Sequence, residues 1–277
     1  MGMRVTTNIS ALNAQRNLIG SQRQINSSMA QLASGSRINK AADDAAGLAI
    51  SENLKAQIRS GVQAQRNAND GISMVQTAEG GLNEIGNIVV RLRELGIQAA
   101  SDTVGQTERG FVDKEVQQLK SEIQRIASVT TWGTTKLLDG STPDFDFQVG
   151  LFNNQEEDRI TFHAGENVAT LDALGLSGLD YTSKEGAQSA LALLDAAQTS
   201  VNGTRANLGA LQNRLTSTVD NLGVATENMS ASNSRIRDTD VAQASSEMTR
   251  NNILLQAGTS TLAQANQVNQ LALKLIG

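Results

Sequence analysis

The chain contains no cysteine in 277 residues, which excludes disulfides and thiolate metal sites. Its single proline leaves room for long helices with no ring to interrupt their hydrogen-bond ladder. Aromatic residues make up only 3%, although compact cores usually draw their largest buried areas from Phe, Tyr and Trp. There is one histidine, His163, so a cluster of imidazoles around a metal is excluded and a His-based triad has one candidate. No apolar run approaches the roughly 18 residues of a transmembrane helix. The opening residues, Met1 to Ser10, lack the apolar core and small-residue cleavage site of a secretory signal. The expectation is a protein that stays inside, or one that leaves by a route needing no cleaved leader. The 23 basic and 28 acidic residues balance to −5 with no basic run, so nucleic-acid binding is not expected.

What is present is helical periodicity, and it is clearest at the two ends. Val5, Ile9, Leu12, Ile19, Ile25, Met29 and Leu32 recur mostly at three-, four- and seven-residue steps. Leu254, Leu262, Ala265, Val268, Leu271 and Leu275 do the same near the C-terminus. Such spacing sets apolar side chains along one face of a helix, and the remaining positions are rich in Gln, Asn, Ser and Ala. An isolated helix of this composition is marginal in water, because nucleation is costly and the apolar stripe is sparse. Two such ends flanking everything else indicate a chain that folds back on itself and assembles with copies.

Between the ends the pattern is stronger. Ile72, Val75, Ala78, Leu82, Ile85, Val89, Leu92 and Ala99 step by three or four with a single seven-residue gap, as in a seam between helices. A helix over 44–100 is on the order of 85 Å long at about 1.5 Å per residue. Gly80 and Gly81 interrupt it at about 1 kcal/mol each, which packing must offset. A second run carries Val112, Val116, Leu119, Ile123 and Ile126, and a third carries Leu191, Leu194, Val201, Leu208, Leu211, Leu215, Val219 and Leu222. Thr182 with Glu185, and Asp240 with Gln243, stand at capping-box spacing ahead of the last two helices. Asp43 and Asp44 are placed to cap the helix that follows them. The predicted fold is mainly α, a bundle of long antiparallel helices with paired N- and C-terminal helices. Only the middle departs from it. Asp144–Val149 and Arg159–His163 alternate polar and apolar residues around an Asn153-Asn154 turn, which predicts a β-hairpin forming a small cap at one end of the bundle.

Nothing in these patterns points to catalysis. His163 sits in an alternating strand, Glu156-Glu157-Asp158 reads as a solvated loop, and Gly80-Gly81 lacks the strand-loop-helix context of a phosphate-binding loop.

The run from Leu32 to Ile50, LASGSRINKAADDAAGLAI, closely resembles bacterial flagellin, in the segment linking its inner-core helix to the next domain. Ser234 to Asp240, SRIRDTD, and Gln256 to Asn266, QAGTSTLAQAN, resemble the C-terminal counterparts. The likeness covers about 1–140 and 185–277. Two departures are local: Asn269 stands where the family usually has proline, and Trp132-Gly133 where Phe-Asn is usual. Flagellins usually carry large outer domains between their halves, and here the insertion is only the hairpin region, which implies a minimal subunit.

The resemblance implies a structural subunit, not an enzyme and without cofactors, that polymerises into the flagellar filament and transmits motor torque outside the cell. It implies inner filament-core helices from 1–42 and 236–277, a long-helix domain from 43–138 and 185–235, and a hairpin region at 139–184. Ile9, Leu12, Ile19, Leu32, Leu254, Leu262, Val268, Leu271 and Leu275 are the expected assembly residues of the core helices. Ile72, Val75, Leu82, Ile85, Val89, Leu208, Leu215 and Leu222 are the expected bundle seam. Implied partners are further copies, the flagellar type III export apparatus and its chaperone, and the hook-associated and cap proteins. Arg91 to Leu95, RLREL, with Glu115 on the following helix, resembles the stretch recognised by the flagellin-sensing Toll-like receptor of animals. The hook-filament junction protein shares the terminal regions and is the nearest alternative. A chemoreceptor-type signalling hairpin is further away, since it would need membrane spans and a helical tip where this chain has its β-hairpin.

Overall fold

The computed structural model describes residues 7–276, with side chains described for 7–267. Val5 and the side chains of Val268, Leu271 and Leu275 therefore lie outside the described residues. The elements in chain order are α1 (Ile9–Ser34), α2 (Ala45–Ala100), α3 (Gln106–Val129), β1 (Thr131–Trp132), β2 (Thr135–Lys136), β3 (Phe145–Gln148), β4 (Arg159–Phe162), α4 (Lys184–Arg237) and α5 (Val241–Ile276). They divide into two compact units, one of residues 1–58 with 228–277 and one of residues 59–227.

In the second unit, α2 packs antiparallel to α4. Gly61 faces Thr226, Gly71 faces Leu215, Gly86 faces Val201 and Gly96 faces Leu191. As one number rises the other falls in step, which is what antiparallel helices of equal rise require. Helix α3 lies antiparallel on another side of α2, with Glu115 beside Arg91 and Thr130 beside Gly81. One hydrophobic core joins these helices. Val75, Leu82, Ile85, Val89, Leu208 and Leu215 are buried in it as the periodicity predicts, with Ile72 half-buried at its edge; Leu222 is also buried. The low aromatic content is offset by length, because many Leu, Ile, Val and Ala layers repeat along the seam instead of a few large side chains filling a centre.

The middle segment does not cap one end of this bundle. Phe147 lies against Gly71, Leu138 against Gly81 and Tyr181 against Gly96, so the segment follows α2 along its length. Its buried Leu137, Leu138, Val149, Phe162, Leu176 and Tyr181 belong to the shared core. The predicted hairpin is present, with Phe145 paired to Phe162 and Phe147 to Ile160. The connection is wider than an Asn153-Asn154 turn, since the Val149 and Gly150 amides both donate to the Asp158 carbonyl at 2.8 and 2.9 Å. A second hairpin, β1–β2, turns at Gly133, whose φ of 60° suits a residue without a Cβ. The run at 170–181 is fastened by buried polar groups. The Lys120 ammonium donates to the carbonyls of Ser177 and Leu179 at 2.8 and 3.3 Å, and the Tyr181 hydroxyl donates to the Leu92 carbonyl at 3.0 Å. Burial pushes the Tyr181 phenol up to about 12, with the Asp113 charge adding to the effect.

Helix starts are partly as expected. Asp240 accepts from the amides of Ala242 and Gln243, and Asp44 from that of Gly47. Asp43 instead closes the preceding loop on the amides of Asn39 and Lys40, and those two hydrogen bonds hold its carboxyl below the usual range. At α4 the cap is Ser183, whose hydroxyl accepts from Gly186, and not Thr182.

The adjacent glycines of α2 differ in surroundings. A Cβ on Gly81 would lie 2.7 Å from Thr130 Oγ1 and 2.9 Å from Leu138 Cδ1, whereas one on Gly80 meets nothing within 4 Å. Gly80→Ala is therefore expected to stabilise the monomer by up to about 1 kcal/mol through helix propensity. Gly81→Ala is expected to destabilise it by forcing apart a packed core. Urea unfolding of the two variants checks this, and the same sign for both would contradict the packing described.

Candidate assembly surfaces and the Arg91 cluster

In the first unit α1 packs antiparallel along α5. The Asn8 side-chain amide donates to the Ala265 carbonyl at 2.9 Å, and Leu18 lies against Gly258. Asn8 also caps α1, its side-chain oxygen accepting from the Ala11 amide at 3.0 Å. The inward face of α1 is Ala11, Ala14, Leu18, Ser21, Ile25, Ser28 and Leu32, all buried or half-buried. These step by three and four, yet most are small. The facing side of α5 carries Ala244, Met248, Asn251, Leu255, Gly258, Leu262 and Ala265 in the same rhythm. Small residues let the two helix axes approach closely, as at Gly258, where an added Cβ would lie 2.8 Å from Leu18 Cδ2.

The expected assembly residues thus separate into two groups. Leu32 and Leu262 are half-buried within the α1–α5 pair. Ile9, Leu12, Ile19 and Leu254 are 56, 51, 51 and 50% exposed, joined by Met29 and Ile253. Ile9, Leu12 and Ile19 step by three and seven along one side of α1, a second apolar stripe that the chain itself leaves uncovered. Such stripes on a folded protein mark contact surfaces. A surface groove of about 680 Å³ runs beside this stripe, lined among others by Ala14, Leu18, Gly20, Leu254, Ala257 and Gly258. The periodicity placed Ile9, Leu12, Ile19, Ile25 and Leu32 on one face of α1, whereas the structure turns Ile25 and Leu32 toward α5 and leaves Ile9, Leu12 and Ile19 uncovered.

The connectors at the far ends of α1 and α4 pair with each other. Ser36 bridges Asp238, the Arg37 amide donates to the Arg237 carbonyl at 2.6 Å, and the Thr239 amide donates to the Gly35 carbonyl at 3.0 Å. The Arg37 guanidinium donates through Nε and Nη2 to the Ile236 carbonyl at 3.2 and 2.8 Å. It thereby caps the C-terminal end of α4, where unpaired carbonyls concentrate negative potential. Arg237 reaches Glu52 on α2. The LASGSRIN and SRIRDTD runs therefore meet in space.

Arg91 stands between two carboxylates. Its Nη1 donates to Glu94 at 2.9 Å, and its Nε and Nη2 donate to Glu115 at 3.1 and 3.0 Å. The hydrogen bonds to Glu94 and Glu115 push the Arg91 pKa further up. Arg91 and Glu115 are exposed and adjacent, whereas Leu95 is 2% exposed and packs in the core. Leu95 supports this surface from beneath and does not form part of it. The lone histidine pairs with Asp144, whose carboxylate lies 2.7 Å from Nδ1 and draws the imidazole pKa up. Among the described residues no group of three or more His, Asp or Glu side chains is placed to hold a metal, and no helix is long and apolar enough to cross a membrane.

Comparison with known proteins follows the same surfaces. Residues 5–142 match the bacterial flagellin N-terminal helical region, and residues 191–276 match the C-terminal helical region. A flagellin of Halalkalibacterium halodurans is 44% identical over 274 residues, covering 99% of this chain and 100% of that relative. A flagellar filament core protein of Brachyspira hyodysenteriae is 42% identical over 294 residues, covering 99% and 100%. The crystal structure of Bacillus cereus flagellin superposes with a TM-score of 0.51 at 31% identity, over 57% of this chain and 88% of that one. The full-length matches and the short middle segment agree, and this chain belongs to the bacterial flagellin family, a family of structural filament subunits and not of enzymes.

Proposed function

We propose that this chain builds a flagellar filament by burying the outer stripe of its α1–α5 pair against the same pair in neighbouring copies. The observation that carries the reading is the exposure of Ile9, Leu12, Ile19 and Leu254 on helices whose small-residue faces are already paired. Residues 1–42 and 236–277 then form the inner core of the filament, including Val268, Leu271 and Leu275. Residues 43–138 with 185–235 form the surrounding long-helix layer, and 139–184 its hairpin region. The subunit acts mechanically, transmitting torque through a helical propeller outside the cell. That role brings the flagellar export apparatus and chaperone as partners during delivery, and the hook-associated and cap proteins as neighbours at the filament ends. No observation favours the junction protein.

Electron microscopy after seeding the purified chain with filament fragments tests the assembly, and expression in bacteria lacking their own flagellin tests delivery. Long helical filaments in both settings, with swimming restored in the second, are the expected result. A persistent monomer or a short capped oligomer would count against a filament subunit.

A further inference from the structure

All 28 acidic residues of the chain lie beyond residue 42, while Arg4, Arg16, Arg23, Arg37 and Lys40 precede them. Helix α1 therefore carries two arginines and no carboxylate, and the arginines have particular places on it. Ile9, Leu12, Arg16, Ile19 and Arg23 step by three and four, so both guanidinium groups rise from the uncovered stripe itself and not from its flanks. All five side chains are exposed. We infer that in the unassembled subunit this stripe docks on an anionic lipid surface, with α1 lying in the plane of the membrane. The inference goes beyond the filament reading, since it concerns the chain before a neighbouring copy covers the stripe.

Position leaves this face available. Ala14, Leu18 and Ile25 turn toward α5, so the stripe on the other side of α1 points away from its partner helix. Helix α5 adds to the uncovered surface, because Leu254 shares a groove with Arg16, and Arg250 is exposed one turn before Leu254. The guanidinium groups of α1 make only local contacts. Arg16 donates to the Asn13 side-chain oxygen, and Arg23 donates to the Ile19 carbonyl at 3.4 Å. Neither meets a carboxylate among the described residues. The one acidic residue of α5, Glu247, accepts from the Gln243 side chain at 3.3 Å.

Charge and chemistry together argue for lipid. Aliphatic side chains can enter the boundary between headgroups and acyl chains, while a long arginine stem lets the guanidinium reach back to the phosphate layer from the same face. A membrane surface uses both halves of this pattern along the whole helix, about 39 Å at roughly 1.5 Å per residue. A single-stranded nucleic acid does not, because the stripe has no aromatic ring on which bases could stack. A duplex backbone would set Leu12 and Ile19 against phosphates. The rest of the chain is acidic, so attraction to an anionic surface belongs to the terminal helices alone.

Co-sedimentation of the unassembled full-length chain with vesicles tests this, and needs no filament to form. The chain is expected to sediment with vesicles of phosphatidylcholine and phosphatidylglycerol and to stay in solution with phosphatidylcholine alone. Arg16→Gln with Arg23→Gln is expected to weaken partitioning about 25-fold, at about fivefold for each arginine near an anionic surface. Arg66→Gln with Arg214→Gln removes the same charge from exposed positions of the second unit and is expected to leave partitioning near that of the parent. No sedimentation, equal binding to both vesicles, or equal losses from the two pairs of substitutions would overturn the inference. So would polyglutamate bound as tightly as anionic vesicles, since it has no apolar interior and would point to an acidic protein instead. As a second measurement, the chain without cysteine accepts an environment-sensitive dye at a single introduced thiol. Dye on Ile19→Cys is expected to shift its emission to the blue on anionic vesicles, and dye on Val224→Cys, 61% exposed on α4, is expected to stay unchanged. A shift at Val224→Cys with none at Ile19→Cys would place the contact elsewhere and remove the stripe from it.

Discussion

Deleting residues 1–30 is expected to abolish seeded filament growth while leaving a soluble, helical monomer. The two outcomes separate because the structure keeps the relevant contacts apart. The main hydrophobic core runs from Ala68 to Leu215 and takes no residue from α1 or α5. Truncation therefore leaves the core of residues 59–227 intact. What is lost is the seam formed by Ala11, Ala14, Leu18, Ile25 and their partners on α5, together with the outer stripe of Ile9, Leu12 and Ile19. The loss is expected to take elongation below detection, since helices of this kind are marginal without neighbours. Deleting residues 250–277 is expected to do the same by removing the other half of the pair. Far-UV circular dichroism should fall only by the share of the removed helix, and electron microscopy after seeding reads the assembly. Robust filaments from either truncation would remove the α1–α5 pair from the mechanism.

Leu82→Ala is expected to act on the opposite property. Leu82 is fully buried in the core of the second unit, so truncating it removes apolar contacts and leaves a cavity. Such substitutions cost about 2–5 kcal/mol. At about 2–4 °C per kcal/mol for a unit of this size, the midpoint of thermal unfolding should fall by roughly 5–15 °C. Ile19→Ala provides the contrast. Its side chain is half exposed in the single chain, so the monomer should unfold as before while the concentration needed for assembly rises. A Leu82→Ala monomer as stable as the parent, or an Ile19→Ala chain that unfolds early, would show that core and assembly surface have been interchanged.

Much of this architecture is legible because long helices make their period visible. Val75, Leu82, Ile85 and Val89 are buried where a three-four spacing places them, since one face of a straight helix must be covered along its whole length. Asp240 caps α5 because its side chain has a local partner in the next turn, and local geometry is readable from local sequence. The β3–β4 pair is legible for the same reason, as alternation survives wherever one face is buried. The family motifs carried the function, and the connectors LASGSRIN and SRIRDTD meet through Arg37 as one element.

The path of the middle segment was not legible. Leu137, Leu176 and Tyr181 lie in irregular backbone with no period, and their burial follows from contacts to α2 far away in sequence. Lys120 gives no sign in sequence that its ammonium will turn inward to two carbonyls. Leu95 carried the resemblance to a receptor-binding stretch, yet its neighbours draw it into the core and leave Arg91 and Glu115 at the surface. The sequence by itself determined that the ends are amphipathic helices able to bury apolar faces. Only the tertiary structure decided that the small face of α1, Ala11 to Leu32, turns toward α5 and that Ile9, Leu12 and Ile19 turn away. The physical reason is close approach: two helices meeting at Gly258 accept small side chains between them, and the larger ones are left for another copy to cover.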